Sequence, residues 1–277
     1  MNQPWRFSRL PLCSLGLLAI LVLLVPLVGC GKSNSSGRGA TESSNPSNPA
    51  TPSQQPDGQP ADTTAEPTKS GQQVKSDLKQ IALAMQNFNA TYGCLSSPGP
   101  FTVPTAPEEL DAKQIPWRVA LLPFMEQGQV INDIMKGKYK GGKNGLEYWL
   151  NPELAKVSIP MYASSPNSSL TRYRIFVGNG AAFEPGQNMK IPASFKDGTS
   201  NTILVVEAGE AVPWLSDKEL PYDPQKPLPK LGHPSRDVFY AAMADGSVRE
   251  IPKNTEEKVL RALITRAGGE WVNLPGK

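Results

Sequence analysis

His233, Asp245 and Ser247 have the residue types of a hydrolytic triad: a base, a carboxylate and a hydroxyl that could serve as the nucleophile. Asp245 and Gly246 are also the dipeptide that tight hairpin turns prefer, because both residues tolerate a positive φ. The chain has no G-x-S-x-G sequence of the kind that presents a serine nucleophile in α/β-hydrolases. We therefore interpret residues 244–247 as a turn and His233 as a residue with a structural hydrogen bond. We predict no catalytic residue, with a hydrolase as the less favoured alternative.

A second possible chemistry is metal binding by carboxylates. Calcium prefers several oxygen ligands, and five acidic residues could converge on it: Asp197, Glu207, Glu210, Asp237 and Asp245. Their spacing does not match an EF-hand, and residues 197–201 fit a loop organised by hydrogen bonds from side chains to the backbone. A structural zinc site needs about four Cys or His ligands, which the single histidine and Cys94 cannot supply. We predict no metal and no cofactor, and a calcium site is the alternative.

Nucleotide and nucleic-acid binding are not favoured. Residues 137–143 match the spacing G-x-x-x-x-G-K, but Asn144 replaces the hydroxyl residue and a helical pattern precedes the segment. We interpret it as a solvated loop, with weak contact to anionic headgroups or polymers as the alternative. The Gly178-Asn179-Gly180 sequence is interpreted as a turn. Loss of Arg6 and Arg9 with a leader would lower the formal charge of +3 by two, which gives no electrostatic case for nucleic acid.

Cys30 lies at the end of a segment that is typical of a secretory signal. Arg6 and Arg9 precede an apolar run from 15 to 28, and the sequence turns polar directly after Cys30. This arrangement resembles the lipobox of bacterial lipoproteins, which implies that residues 1–29 are cleaved and that Cys30 carries lipid. The alternative is a transmembrane anchor, since the run approaches the ~20 residues needed to span a bilayer. Both interpretations place the rest of the chain outside the cytoplasm. Gly31, in place of the Asp that retains such proteins at the inner membrane, favours the outer membrane or the periplasm.

Residues 30–70 are predicted to be a disordered tether. The segment is rich in Ser, Pro, Gly, Asn and Thr and has almost no apolar side chains, so it cannot bury enough surface to offset the entropy of ordering. Residues 71–277 follow as a single domain large enough for a hydrophobic core. Cys94 is the one cysteine in this part, and we expect it to be a small buried hydrophobe.

The domain is predicted to begin with a long helix. Residues 70–73 fit a capping box, Gly93 fits a helix stop, and apolar residues recur between them at steps of three and four: Val74, Leu78, Ile81, Met85, Phe88 and Tyr92. A second helix start is predicted at 105–108. The apolar segment 117–122 meets Pro123, which should break or kink a helix, and the pattern resumes over 124–135.

The pattern then changes to that of strands. Segments 173–177, 202–206, 238–242 and 248–251 are predicted strands, with the turn 244–247 between the last two. A final helix is expected from Asn254 to Gly268. Helices precede strands without regular alternation, so the fold class is α+β, with a long N-terminal helix packed on a mainly antiparallel sheet and extra helices.

Five sequence blocks are similar to those of the planctomycete pilin-like domain of unknown function 1559, a family described by an H-x-DG motif associated with prepilin processing. The blocks keep the family's order along the chain and lie at 78–88, 117–127, 197–204, 233–248 and 265–270. The residues that match its motifs, whose roles are unknown, are Trp117, Asp197, Gly198, His233, Asp245, Gly246, Arg266 and Glu270. The resemblance implies a pilin-like domain and no particular biochemical activity.

Two features depart from the family pattern. Family members carry a prepilin leader with an early glutamate, whereas no acidic residue precedes Glu42 here. The spacing between His233 and Asp245 is also two residues longer than usual. We therefore expect a non-enzymatic, lipid-anchored envelope protein that contacts other proteins, as an accessory to pilus or type II secretion-like assemblies, rather than a polymerising pilin. An extracytoplasmic module that binds a ligand or polymer is the alternative.

Overall fold

The computed structural model describes residues 68–96, 116–140 and 151–270. The predicted leader, Cys30, nearly all of the predicted tether, the helix start at 105–108 and residues 141–144 of the glycine- and lysine-rich loop lie outside these residues. Within the described ranges, no helix combines the length and the apolar character that are needed to cross a lipid bilayer.

Helix α1 spans Gly71–Tyr92 and confirms the predicted amphipathic helix. Its first turn is closed by the predicted capping box, in which the Ser70 hydroxyl accepts from the Gln73 N–H and the Gln73 side chain accepts from the Ser70 N–H. Gly93 ends the helix with a φ of 71°, a left-handed conformation that glycine adopts without strain. Five of the six residues of the predicted apolar stripe are buried, and Tyr92 is half-buried.

The segment after Pro116 is helical only in short pieces. Helix α2 spans Trp117–Ala120, and a 3₁₀ helix follows at Leu122–Phe124, so Pro123 interrupts the helix as expected. Helix α3 spans Gly128–Met135, whereas the sequence pattern predicted a start at Phe124. That start was wrong because Glu126 has a φ of 56°, which no helix accommodates. Helix α4 spans Pro152–Ala155 and is capped by Asn151.

In the part of the chain that the structure describes, six strands form two sheets. The larger sheet has the order β1-β3-β5-β6, and all three of its pairings are antiparallel. The smaller one pairs β2 with β4 in parallel. The strands are β1 (Leu170–Arg174), β2 (Phe176–Val177), β3 (Ile203–Pro213), β4 (Leu220–Pro221), β5 (Val238–Met243) and β6 (Val248–Pro252).

Strand β5 shows how the sheet separates two apolar clusters. Its side chains alternate, so that Tyr240 and Ala242 pack in the cluster with α1, while Phe239 and Ala241 pack in the opposite cluster. Helix α5, which spans Glu257–Ile264, contributes to that second cluster. The predicted α+β class, with a long helix on a mainly antiparallel sheet, is therefore confirmed.

Several predicted boundaries needed correction. The single strand expected at 173–177 is two strands, separated at Ile175, and β3 runs seven residues beyond the predicted end at Val206. Helix α5 starts at Glu257 rather than Asn254, because the Thr255 hydroxyl donates to Pro252 O in a turn. It ends at Ile264, since Thr265 is extended and bridges to Ala181.

Candidate functional site

The Asp245-Gly246 motif forms the predicted turn between β5 and β6. Asp245 Oδ1 accepts hydrogen bonds from both the N–H and the hydroxyl of Ser247, at 2.8 and 2.6 Å. Gly246 has a φ of 80° and lies against the Gln86 side chain. Helix α1 holds this turn, because Lys79 Nζ donates to Gly246 O and Gln86 Nε2 donates to Ala244 O. The turn is thus a docking point for α1.

Asp197 joins two of the family motifs. Its carboxylate accepts from the N–H groups of Gly268 and Gly269 at 2.7 and 2.8 Å, so the 197–204 block fixes the 265–270 block. Gly198 has a φ of 95°, and its carbonyl accepts from the Thr202 hydroxyl. This arrangement confirms the interpretation of residues 197–201 as a loop organised by side chain–backbone hydrogen bonds.

Arg266 and Glu270 have different surroundings. Arg266 Nη1 donates to Ala181 O at 2.6 Å and lies 3.3 Å from Glu184 Oε2. Glu184 in turn accepts from the Gly180 N–H in the turn at 178–180, which was predicted from its two glycines. Glu270 is exposed. The arginine therefore ties the C-terminal block to that turn.

Trp117 belongs to a buried ionic network that the sequence did not reveal. Glu219 Oε1 accepts from Trp117 Nε1 and from Arg118 Nη1, both at 2.8 Å, and its Oε2 accepts from the Ile175 N–H. Arg118 also donates to Tyr173 O and stacks on the Trp117 ring. The Arg118 and Glu219 side chains are 1% and 6% exposed, so this ion pair is shielded from water.

His233 lies far from the other two members of the possible triad. The N–H of Gly232, its neighbour, donates to Glu207 O, whereas the N–H of Ala244, next to Asp245, donates to Thr202 O. The two acceptors, Thr202 and Glu207, lie five residues apart along the extended chain at the start of β3, which corresponds to roughly 15 Å. Asp245 and Ser247 bond to each other, and the structure does not bring His233 to them.

His233 Nδ1 accepts from the Ser235 N–H at 3.2 Å and lies 2.7 Å from the Ser235 hydroxyl. The predicted structural hydrogen bond is therefore present. Because Nδ1 is the acceptor, the neutral ring carries its proton on Nε2. Burial lowers the pKa of His233, and the positive charges of Arg172, Arg236 and Lys253 lower it further.

A small cleft lies between His233 and the start of α1. Its empty space, including the open mouth, is about 220 Å³. Charged and polar side chains line most of it: Lys69, Arg172, Tyr173, Glu207, His233 and Arg236. This cleft is the candidate functional site.

Glu207 is the most buried charged residue of the cleft, with a side chain that is 2% exposed. Burial raises the pKa of its carboxyl, while Arg236 and Arg172 oppose that rise. Arg236 forms an ion pair with Glu207 Oε1 and also donates to Lys69 O. Arg236 thereby connects the cleft to the residue that precedes α1.

A second ion pair closes the side of the cleft near α1. Lys69 Nζ donates to Asp77 Oδ2, which also accepts from the Tyr173 hydroxyl at 2.8 Å. Burial raises the pKa of Asp77, and Lys69 opposes that rise. Burial also raises the pKa of Tyr173 well above its ordinary value, so its hydroxyl remains a donor. These bonds fix the first turns of α1 to β1.

The five carboxylates considered for calcium do not assemble. Asp197 binds backbone N–H groups, Glu207 pairs with Arg236, and Asp245 closes its own turn. Among the described residues, no three His, Cys, Asp or Glu side chains lie close enough together to hold a metal ion. The five carboxylates do not form one ligand set, because Glu207 and Glu210 lie in β3 whereas Asp197, Asp237 and Asp245 lie in three separate loops.

The arginines of the cleft were not predicted from the sequence. Arg172 lies in β1 between the buried residues Thr171 and Tyr173, but one position before the strand predicted at 173–177, so no signal marked it. Arg236 follows His233 in a polar loop and carried no signal either. Glu207 was noted only as a possible calcium ligand.

The family comparison matches residues 72–189 to a model described as a protein of unknown function, DUF1559. No curated protein and no solved structure matches the chain significantly. Of the motif residues named from the sequence, Trp117 lies within the matched segment, and the others follow it. Residues 72–189 thus match the model of the DUF1559 family of proteins of unknown function, which confirms the resemblance noted from the sequence.

Proposed function

We propose that this protein is a non-enzymatic, lipid-anchored envelope protein whose folded domain acts through contacts with other proteins. The supporting observation is that the polar motif residues are engaged in internal bonds. Asp197 holds the 268–269 backbone, Arg266 holds Ala181, and Asp245 holds Ser247. Side chains that are engaged in internal hydrogen bonds stabilise the folded surface and do not attack a substrate.

The chemistry of the possible nucleophile favours the same proposal. The Ser247 hydroxyl donates its hydrogen bond to Asp245 Oδ1, the carboxylate of its own turn, and not to an imidazole. Activation of a serine requires a base within about 3 Å of the hydroxyl. His233 bonds instead to Ser235.

The anchoring part of the proposal comes from the sequence. An apolar leader that ends at Cys30, followed by a polar segment, is the arrangement that lipid attachment requires. Several acyl chains would hold the protein at the membrane, since each buried CH₂ contributes about 0.8 kcal/mol. We propose the outer membrane or the periplasmic face as the location, and pilus or type II secretion-like assemblies as the partners.

Labelling with radioactive palmitate in cells tests the anchor. We expect Cys30→Ser to abolish the label and to leave an uncleaved precursor. Cys13→Ser is the matched control, because it changes a cysteine within the leader itself and should leave labelling normal. Normal labelling of the Cys30→Ser protein would contradict the anchor.

A second candidate function is an extracytoplasmic ligand-binding module, and the cleft beside His233 favours it. A pull-down from envelope extract separates the two candidates. A stable protein complex supports contacts with proteins, and an enriched small molecule or polymer without protein partners supports the binding module.

A further inference from the structure

Helix α1 has an outer face that carries no charge. On the side of the helix opposite the buried stripe, residues that recur at steps of three and four are all exposed and all neutral: Gln72, Ser76, Gln80, Leu83, Asn87 and Ala90. These residues form the neutral face of α1. The face is about 27 Å long, at ~1.5 Å of rise per residue.

The charges of α1 are used within the domain. Each of the three charged residues of the helix binds a residue outside it: Lys75, Asp77 and Lys79. A helix face that is turned to solvent normally carries charged residues, as Glu257 and Lys258 do in the exposed first turn of α5. Depletion of charge is instead a compositional mark of the centre of a protein–protein interface. The neutral face therefore has the composition of a contact surface.

Leu83 lies at the centre of the neutral face. Its side chain is 53% exposed, and the only other large hydrophobic residue exposed in the described part of the chain is Leu170 of β1, at 37%. Removal of apolar surface from water favours association, so a partner that covers Leu83 is stabilised by that contact.

We propose that the neutral face of α1 binds the same face of a second copy of this protein, with the two helices antiparallel. A symmetric dimer needs a surface that complements itself, because the same patch is used on both copies. A face with a net charge would repel its own copy, whereas the neutral face has no charge that could do so. This inference rests on the proposed function, action through contacts with other proteins, and it names one partner.

The spacing of side chains favours the antiparallel arrangement. Ser76 and Ala90 each lie seven residues from Leu83, which is about two helical turns. With a two-fold axis at Leu83, the two leucines meet and each Ser76 faces Ala90 of the second copy. These small side chains allow the close approach of packed helices, with axes ~8–10 Å apart. A parallel pair would bring two helix N-termini together, and α1 has no acidic residue in its first turn to offset their like dipoles.

The area of the neutral face predicts a weak dimer. A strip about 27 Å long and one helix diameter wide, ~10–12 Å, is smaller than the ~800 Å² that each partner contributes to a standard interface. Attachment of both copies to one membrane raises their local concentration, which makes a weak contact sufficient.

Cysteine crosslinking in intact cells with a short bis-maleimide tests the proposal. Leu83→Cys should crosslink two copies, because the two positions meet at the axis. Ser76→Cys should not, since an antiparallel pair separates the two Ser76 positions by roughly 20 Å, whereas the double variant Ser76→Cys/Ala90→Cys should crosslink. Lys258→Cys is the control, an exposed position on α5. The unsubstituted protein measures the background from Cys94, which is buried.

A charge at the axis should break the dimer. Leu83→Glu, introduced into the double cysteine variant, should lower its crosslinking by about tenfold or more, because two carboxylates then face each other. Leu170→Glu is the matched control, because it makes the same change at the other exposed leucine. Thermal unfolding of the purified variants shows that the fold persists, and Leu83→Gln replaces Leu83→Glu if the latter does not fold.

Three results would overturn the proposal. They are no dimer from Leu83→Cys, equal crosslinking of Ser76→Cys and the double variant, and equal loss from Leu83→Glu and Leu170→Glu. Crosslinks from Leu83→Cys to a different protein alone would also overturn it and would assign the face to that protein. None of these results changes the palmitate labelling or the pull-down from envelope extract, so a failure of the dimer is distinct from a failure of the proposed function.

Discussion

The carboxylate of Asp197 binds the backbone of Gly268, which lies 71 residues further along the chain. Its second oxygen binds the N–H of Gly269, so both oxygens of one side chain hold one short turn. The Asp197 N–H in turn donates to the Arg266 carbonyl at 3.1 Å. The 197–204 and 265–270 motifs therefore form one structural unit, and these hydrogen bonds give both motifs a structural role.

Asp197→Ala should destabilise the protein by about 1.5–3 kcal/mol, the range for hydrogen bonds to a charged group. The measurement is urea unfolding, with the free energy extrapolated to water. Asp217→Ala is the control, because Asp217 is an exposed aspartate and its removal should change stability by less than about 0.5 kcal/mol. Equal losses in the two variants would show that the Asp197 bonds contribute nothing special.

Glu219→Ala should be the more damaging change, at about 3–5 kcal/mol. Removal of this carboxylate leaves the buried Arg118 guanidinium without its counter-ion and Trp117 Nε1 without an acceptor. Glu153→Ala is the control, because Glu153 pairs with Lys156 at the surface and both side chains are mostly exposed. Unfolding in urea that shows a loss below about 1 kcal/mol for Glu219→Ala would contradict the importance of the network.

Gly246→Ala should separate backbone strain from contact with α1. Any residue with a Cβ at a φ of 80° is destabilised by about 1–2 kcal/mol, and this Cβ would lie 3.0 Å from Gln86 Nε2. Gly186→Ala carries the strain alone, because Gly186 has a φ of 73° and a Cβ added there would meet nothing within 4 Å. We expect a larger drop in melting temperature for Gly246→Ala. Identical drops in melting temperature for the two variants would mean that the contact with Gln86 of α1 adds no further destabilisation.

His233 should make stability depend on pH below neutrality. Its pKa in the folded protein lies below the ordinary value of 6.5, so the folded state binds fewer protons than the unfolded chain. Its contribution is complete above about pH 6.5 and is lost as the pH falls below that value. The raised pKa values of Glu207 and Asp77 act in the opposite direction, but a variant of His233 leaves both groups in place.

The check is the melting temperature at about pH 7.5 and pH 5.5 for the original protein and for His233→Gln. The original protein should lose more stability on acidification than the variant, because only the original must protonate an imidazole near Arg172, Arg236 and Lys253. An equal loss in both proteins would show that His233 is not held in its neutral form.

Elements were predicted correctly from the sequence where local signals, such as caps and apolar periodicity, agree with how the element packs in the folded protein. Helix α1 has a capping box, a regular apolar stripe and a glycine stop, and all three are realised. The turn at Asp245-Gly246 is likewise local chemistry. Boundaries failed where a distant contact decides them: Thr265 leaves the helical conformation as it bridges to Ala181, more than eighty residues earlier in the chain.

The candidate site was harder to predict because its members come from separate elements. Lys69 precedes α1, Arg172 lies in β1, Glu207 in β3 and Arg236 in the loop before β5. Nothing in their spacing links them until the antiparallel register places Tyr173 opposite Glu207. His233 was identified from the sequence, but as a member of a possible triad whose residues lie apart in the folded protein. Charge pairing across strands leaves no periodic signal in a single sequence.

Crosslinking of the protein in intact cells, followed by mass spectrometry of its N-terminal peptide and of the crosslinked partners, tests the proposal that the protein is lipid-anchored and acts through contacts with other proteins. We expect an N-terminal peptide that begins at an acylated Cys30, together with crosslinks to envelope proteins, including components of pilus or secretion assemblies. An N-terminal peptide without lipid would contradict the anchor. An acylated Cys30 with only glycan or small-molecule adducts would contradict action through protein contacts and favour the binding module.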